Sequence, residues 1–187
     1  MRIFISGGCK NGKSSYAQLY AQRLAKVKQA KELYYVATMQ STDHEDDERI
    51  ERHRQERAGL GFTTVEQPVD IESIVQRCDP NGSFLLDSLT ALLANEMFPP
   101  GSRMNEQAAE KISNGLSLIL DKIENIVLVS DYIYSDAMFY DPFSEKYRKS
   151  LADIDRTAAR LCDVVLEVAY TQVIVHKGRE AFDALFS

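Results

Sequence analysis

The sequence predicts a P-loop NTPase-like α/β fold: a mainly parallel sheet with helices on both faces and a C-terminal β-hairpin. Three observations predict it. Short, wholly apolar runs recur along the chain, helical stretches separate them, and Gly7-Gly8-Cys9-Lys10-Asn11-Gly12-Lys13-Ser14 reads G-x-x-x-x-G-K-S just after the first run. Apolar strands without polar alternation are buried on both faces, the signature of a parallel sheet covered by helices. The glycine-rich octet is a phosphate-binding loop when a strand precedes it and a helix follows it. Both conditions are met here.

Taken in order, Ile3-Phe4-Ile5 is the first strand and Ser15 to Ala25 the helix that opens behind the loop. Leu33-Tyr34-Tyr35-Val36-Ala37 is a second strand, ending at Thr38. The polar stretch from Ser41 to Arg57 turns helical from about Glu48, with Ile50 as its one large aliphatic residue. Phe62 to Val65 suits a short strand, Ile71 to Cys78 an amphipathic helix, and Asp79-Pro80-Asn81-Gly82 a turn. Phe84-Leu85-Leu86 is a buried strand ending at Asp87, and Leu89 to Phe98 is the next helix. Pro99-Pro100-Gly101 breaks the chain before a long helix over Asn105 to Ile123. Ile126-Val127-Leu128-Val129 is the following strand, residues 131 to 143 a tyrosine-rich loop, and Glu145 to Cys162 a helix. Val164-Val165-Leu166 and Val173-Ile174-Val175 form the terminal hairpin.

A chain of 187 residues suits a single P-loop nucleotide-binding domain over residues 1–187, and the sequence shows no repeat or linker. The net charge is −6 with no long basic run, which argues against a nucleic-acid partner. A bound nucleotide must then be held by local donors and metal rather than by a general positive field. Cys9, Cys78 and Cys162 lack paired spacing, pointing away from a disulfide framework or zinc site and towards a reducing, cytoplasmic setting. Met1 to Ile5 is too short for a signal peptide, and no apolar run reaches membrane-spanning length.

The chemistry starts at the loop. Successive backbone amides from Gly7 to Ser14, with Cys9, Lys10 and Asn11 in the middle, can wrap a polyphosphate. Gly7, Gly8 and Gly12 permit the wrapping because they lack a Cβ. Lys13 would meet the β- and γ-phosphates, and the Ser14 hydroxyl would take a Mg²⁺ position. Asp87, at the carboxyl end of a buried strand, is placed to hold Mg²⁺ as well, or alternatively to cap the helix that follows. Asp131 has a similar placement. Further on, Arg49, His53 and Arg57 are spaced four apart and share one helical face. Two guanidiniums disfavour imidazolium, so a neutral His53 ring could attack an α-phosphorus while the arginines grip phosphate oxygens. On spacing alone, a solvated charged face is the better reading of that segment.

The ordered set of the glycine-rich loop, Tyr35-Val36-Ala37-Thr38, Arg49-Ile50-x-x-His53-Arg54 with Arg57 following, and Leu85-Leu86-Asp87 resembles the bifunctional adenosylcobinamide kinase and adenosylcobinamide-phosphate guanylyltransferase family. The resemblance implies a kinase step using ATP or GTP with Mg²⁺, then transfer of GMP from GTP to a corrinoid through a guanylylated His53. It also implies that Gly7 to Ser14 and Asp87 form the nucleotide and Mg²⁺ site, and that the protein is a homotrimer. The C-terminal half departs from the family. Ser130-Asp131-Tyr132-Ile133-Tyr134 stands where a Thr-Asn-Glu-Val-Gly-like stretch is usual, and Asp153 and Arg156-Thr157 stand near the usual Gly and Asn-Gln. Tyr132, Tyr134 and Tyr140 become candidates for apolar contact with the corrinoid, or for packing under the loop. Two other classes remain open: a phosphate-loop kinase of another small molecule without guanylyl transfer, and a nucleotide-binding regulatory module.

Overall fold

In the computed structural model, residues 1–186 are described apart from 42, 43, 45–47, 49, 52, 53 and 56. One seven-stranded sheet organises them. Its strands are β1 (Arg2–Gly7), β2 (Leu33–Ala37), β3 (Thr63–Glu66), β4 (Ser83–Asp87), β5 (Asn125–Asp131), β6 (Val164–Ala169) and β7 (Gln172–Lys177), in the order β3-β2-β4-β5-β1-β6-β7. All pairings are parallel except β6 with β7, the antiparallel hairpin expected at the C-terminal end.

The apolar runs form this sheet because both of its faces are covered. Along β1, Phe4 packs on one side while Ile3 and Ile5 pack on the other, and the same division separates Phe84 and Leu86 from Leu85 in β4. Strand β5 repeats it, with Ile126 and Leu128 on one side and Val127 and Val129 on the other. Helix α1 (Lys13–Lys28) supplies Ala17, Tyr20, Ala21 and Leu24 to the second face. The first face receives a 3₁₀ turn (Ile71–Ser73), α2 (Ile74–Arg77), α3 (Leu89–Met97), α4 (Ala108–Lys122) and α5 (Pro142–Leu161). Complete burial of side chains such as Phe84 and Leu128 stabilises the sheet by about 1.5–3 kcal/mol each.

Several boundaries differ from expectation for local reasons. The segment from Ile71 to Cys78 is a 3₁₀ turn followed by one α-helical turn, entered through Asp70 in the left-handed region. Asn105 lies outside α4, because its side chain accepts from the Gln107 amide and holds a turn there. Helix α5 starts at Pro142 rather than Glu145, since Asp141 caps it through the amides of Phe143 and Ser144. Near the second strand's exit, His44, Glu48, Ile50, Glu51, Arg54 and Gln55 are helical, an earlier start than the expected Glu48. The final helix α6 (Arg179–Ala184) was not expected from the sequence; Phe182 packs edge-on against Tyr20 of α1 at 5.3 Å. Among the described residues, no helix is long and apolar enough to cross a membrane.

Candidate active site

The parallel strands β1, β4 and β5 end side by side, with Gly7 in register with Asp131 and Asp87 in register with Val129. The glycine-rich loop therefore leaves the sheet directly beside two strand-terminal carboxylates. In open α/β sheets this is where ligands bind.

Gly7 has no room for a side chain: a Cβ there would sit 2.6 Å from the Val168 carbonyl oxygen and 2.3 Å from Asn11 Nδ2. The Asn11 amide donates to that same carbonyl, and its Oδ1 accepts from the Lys13 backbone amide at 3.2 Å, so one side chain ties the loop to β6 and to the start of α1. Gly12, at φ 87°, occupies a left-handed conformation that a residue with a Cβ would resist, and it forms the N-cap of α1. Gly8 is different: a Cβ there would meet nothing, so the fold itself does not demand a glycine. Cys9 and Lys10 are exposed at the tip.

Lys13 is 6% exposed, yet its charge is matched. Nζ donates to the Gly8 carbonyl at 3.0 Å and forms an ion pair with Asp131. Asp131 is thus the counter-ion of the loop lysine, a partnership the sequence left open. Its backbone amide donates to Thr90 Oγ1 at 2.9 Å, tying the end of β5 to α3.

Asp87 stands at the end of β4, and its Oδ2 accepts from the Tyr35 hydroxyl at 2.8 Å. It does not cap α3. Ser88 does, accepting from the Ala91 amide at 3.2 Å, so the Asp87 carboxylate is not used in the helix cap. Thr38 closes the gap between β2 and β4: fully buried, its hydroxyl donates to the Ser88 carbonyl at 2.8 Å and accepts from the Ser88 amide at 2.7 Å. Sequence reasoning stopped the strand at Thr38 without seeing this clamp; a hydroxyl at the end of a buried strand was the available signal.

Arg57 is 8% exposed, and its guanidinium lies 3.6 Å from the centre of the Tyr35 ring. The expected helical register through Arg57 is corrected, because the residue sits in a turn after Gln55, followed by Gly59 and Gly61 at positive φ. A chain Arg57, Tyr35, Asp87 therefore runs along the edge of the site. His53 and Arg49, the remaining members of the expected basic face, lie outside the described residues.

Beyond β5, the tyrosine-rich loop is pinned by Arg148 of α5, which donates to the Ile133 carbonyl at 3.1 Å and to Asp136 Oδ1 at 2.7 Å and pairs with Glu145. Its guanidinium stacks 4.5 Å from the centre of the Tyr140 ring. The three tyrosines do different work. Tyr134 turns inward, donating to Asp155 Oδ2 at 2.8 Å, so it is structural rather than a free apolar contact. Tyr132 has Glu167 nearby, whose charge adds to burial in raising its phenol, while Tyr140 faces a cleft beside Phe143 and Tyr147. Beneath the loop, Asp155 is 3% exposed, with Oδ1 unpartnered, and the hydroxyls of Ser6 and Ser130 are also buried without a well-formed hydrogen bond. Burial pushes the Asp155 carboxyl up to about 6; the nearby hydroxyls of Ser130 and Tyr134 pull the other way, and the charge of Asp131 adds to the rise.

Strand order, the glycine-rich turn with its paired lysine and the two strand-terminal carboxylates together define a P-loop NTPase-like protein. The KaiC-like protein PH0186 of Pyrococcus horikoshii OT3 has a similar fold, with a TM-score of 0.52 at 11% identity over 96% of this chain and 79% of that one. Residues 3–174 match the family described as cobinamide kinase / cobinamide phosphate guanyltransferase (CobU), and the chain belongs to that family. Its relatives include the bifunctional adenosylcobalamin biosynthesis protein CobU of Escherichia coli K12, 32% identical over 102 residues. The protein of the same description from Salmonella typhimurium LT2 is 28% identical over 102 residues. In each case the match covers 54% of this chain, which spans about half (52%) the length of the relative.

Proposed function

We propose that residues 1–187 act as one P-loop domain that phosphorylates adenosylcobinamide with ATP or GTP and then transfers GMP from GTP to the phosphorylated product. The observation that carries this reading is the buried Lys13 ammonium, held between Gly8 and Asp131 at the mouth of the glycine-rich loop. An incoming triphosphate would draw Lys13 from Asp131 to its β- and γ-oxygens, and Lys13 would then offset charge on the transferring phosphoryl group. Backbone amides of Gly8, Cys9, Lys10, Asn11 and Gly12 would hold the remaining oxygens. Ser14 and Asp87 are hard oxygen donors of the kind that suit Mg²⁺, and Tyr35 orients the carboxylate from behind. Bound there, the ion would supply Lewis-acid polarisation of the phosphates.

In the second reaction a ring nitrogen of His53 attacks the α-phosphorus of GTP. A P–N bond forms, the bond between the α-phosphorus and the bridging oxygen breaks, and pyrophosphate leaves with the electron pair. A phosphate oxygen of the corrinoid then displaces the imidazole, giving adenosylcobinamide-GDP. Arg49 and Arg57 are assigned to the nucleotide's phosphates, and the buried, oriented guanidinium of Arg57 supports that role. A cytoplasmic homotrimer completes the reading. Incubation with α-labelled GTP and Mg²⁺ is expected to give acid-labile, base-stable label on the protein that disappears in His53→Ala. Equal labelling of the variant would remove His53 from the reaction.

A second reading, a phosphate-loop kinase for a different small molecule, is favoured by the pairing of Asp131 with Lys13 in place of the family's usual residues after β5. Phosphoryl transfer that survives His53→Ala, with no covalent nucleotide at any time, would select it.

A further inference from the structure

The cleft between the tyrosine-rich loop and helices α3 and α5 is lined by no residue of the glycine-rich loop, yet it is joined to that loop by a short chain of contacts. Tyr147 lines it and donates to the Thr90 carbonyl at 2.8 Å; Thr90 accepts from Asp131, which pairs with Lys13. Its volume is about 320 Å³, and Phe98, Ile133, Tyr140, Phe143 and Tyr147 supply most of its walls. Around it the apolar surface continues. Phe98 is 43% exposed, Phe143 62% and Phe139 fully exposed, a concentration of bare aromatic surface that marks an interaction site rather than scattered exposure.

The charge of the cleft narrows the choice of occupant. The guanidinium that lines it, Arg148, is already matched by Asp136 and Glu145 and covered by the Tyr140 ring, so the cleft offers a phosphate no free cation. It suits an uncharged apolar body with a polar fringe. Polar groups do reach its rim, including the Tyr140 hydroxyl and Ser144, which are hydrogen-bonded to Asp136 and Asp141. A corrinoid has that chemistry, being a broad apolar macrocycle fringed by carboxamides. It is far larger than the cleft, so an edge of the ring would enter while the rest lay over Phe139 and Phe143.

We infer that this cleft seats the edge of the corrinoid acceptor, with Phe98 and Phe143 as its specificity-determining contacts; the inference rests on the functional reading above. It places the acceptor on the β5 side of the phosphate loop, where a hydroxyl-bearing arm can extend over Asp131 towards Lys13. The proximity of both substrates to one pair of strand ends is what an in-line transfer requires.

The test uses the full chain and cobinamide itself, followed by its visible absorbance in equilibrium dialysis without nucleotide. Phe98→Ala and Phe143→Ala act on side chains already partly in solvent, so both variants should fold. Each is expected to weaken cobinamide binding about tenfold, the two together by more, with GTP binding unchanged, since aromatic anchors are enriched among the contacts that carry most of a binding energy. Cobinamide binding that is equal in wild type and both variants overturns the cleft and leaves the functional reading standing. A wild-type protein that binds GTP but no cobinamide overturns the functional reading itself. Variants that sediment as smaller particles than wild type would show the aromatic surface to be a contact between copies, which also overturns the assignment.

Discussion

The glycine-rich loop and the tyrosine-rich loop leave adjacent central strands, β1 and β5, at the same carboxyl end of one sheet, but they are constructed in opposite ways. The first is held from inside: Asn11 ties it to β6, Gly7 leaves no space behind it, and the buried Lys13 closes it onto Asp131. The second is held at its base, by Tyr134 on Asp155 and by the Arg148 guanidinium, and presents Met138, Phe139 and Tyr140 outward. A polyphosphate is small, invariant and recognised by backbone amides, so its loop can be rigid. A bulky apolar acceptor needs area instead. The difference predicts that substitutions at the first loop act on catalysis and nucleotide affinity, whereas those at the second act on the acceptor.

The largest effect should come from Lys13→Ala. On the proposed reading Lys13 meets the transferring phosphoryl group, and its removal is expected to lower kcat for phosphoryl transfer by about 10³-fold, a loss of roughly 4 kcal/mol of transition-state stabilisation. Asp131 would be left without its partner, so Asp131→Asn added to Lys13→Ala should restore stability without restoring activity. Steady-state kinetics and thermal unfolding separate the two. A Lys13→Ala enzyme with near wild-type kcat would place the phosphate site elsewhere.

Next is Gly7→Ala. The added Cβ would meet a backbone oxygen of β6 at 2.6 Å, which cannot swing aside as a side chain can. Loss of nucleotide affinity by at least about tenfold and of stability by about 1–3 kcal/mol is expected. Gly8→Ala is the control inside the same loop, because open space surrounds that position. It should leave stability within about 0.5 kcal/mol of wild type. Equal stability losses at both positions would contradict the account of the loop as packed only from the Gly7 side.

Between the two loops lies Asp155, buried beneath Ser130 and bonded to Tyr134. Its carboxyl is raised to about 6, above an ordinary value near 4, so the folded state holds this proton more tightly than the unfolded chain does. The associated stability is fully present below about pH 4 and is lost as pH rises through about 6. Asp155→Asn should abolish that loss and stabilise the protein at pH 7 by up to about 3 kcal/mol, read as Tm against pH. The neighbouring groups that titrate are Asp131, already paired with Lys13, and the phenols of Tyr134 and Tyr147, both raised further by burial. A wild-type Tm that stays level from pH 4 to 7 would show Asp155 to be solvated.

Which of these features the sequence revealed follows from their range. The glycine-rich turn behind β1, the strand cores and the position of Asp87 at the end of β4 were legible because each depends on local pattern: a glycine spacing, a run of apolar residues, a carboxylate at the end of that run. The Lys13 to Asp131 pair, the Thr38 to Ser88 clamp and the stacking of Arg57 on Tyr35 join residues from different strands and loops. No spacing rule reaches them. Tyr134 and Tyr140 look alike in sequence, yet one turns towards Asp155 and the other towards the cleft, a distinction set by the path of the loop over α5.

The smallest effect on stability belongs to Phe139, and it gives the sharpest separation of the two loops. The side chain is fully exposed, so Phe139→Ala removes no buried contact and should change unfolding free energy by no more than about 0.5 kcal/mol. Mean packing arguments give it no reason to be aromatic. If the apolar surface beside the cleft receives a corrinoid, the same substitution should weaken cobinamide binding by about threefold while GTP affinity holds, a smaller loss than at Phe143 because only one face of the ring would be covered. Equilibrium dialysis beside chemical denaturation reads both quantities on one preparation. Unaltered cobinamide affinity would confine the acceptor to the cleft proper and leave Phe139 outside it.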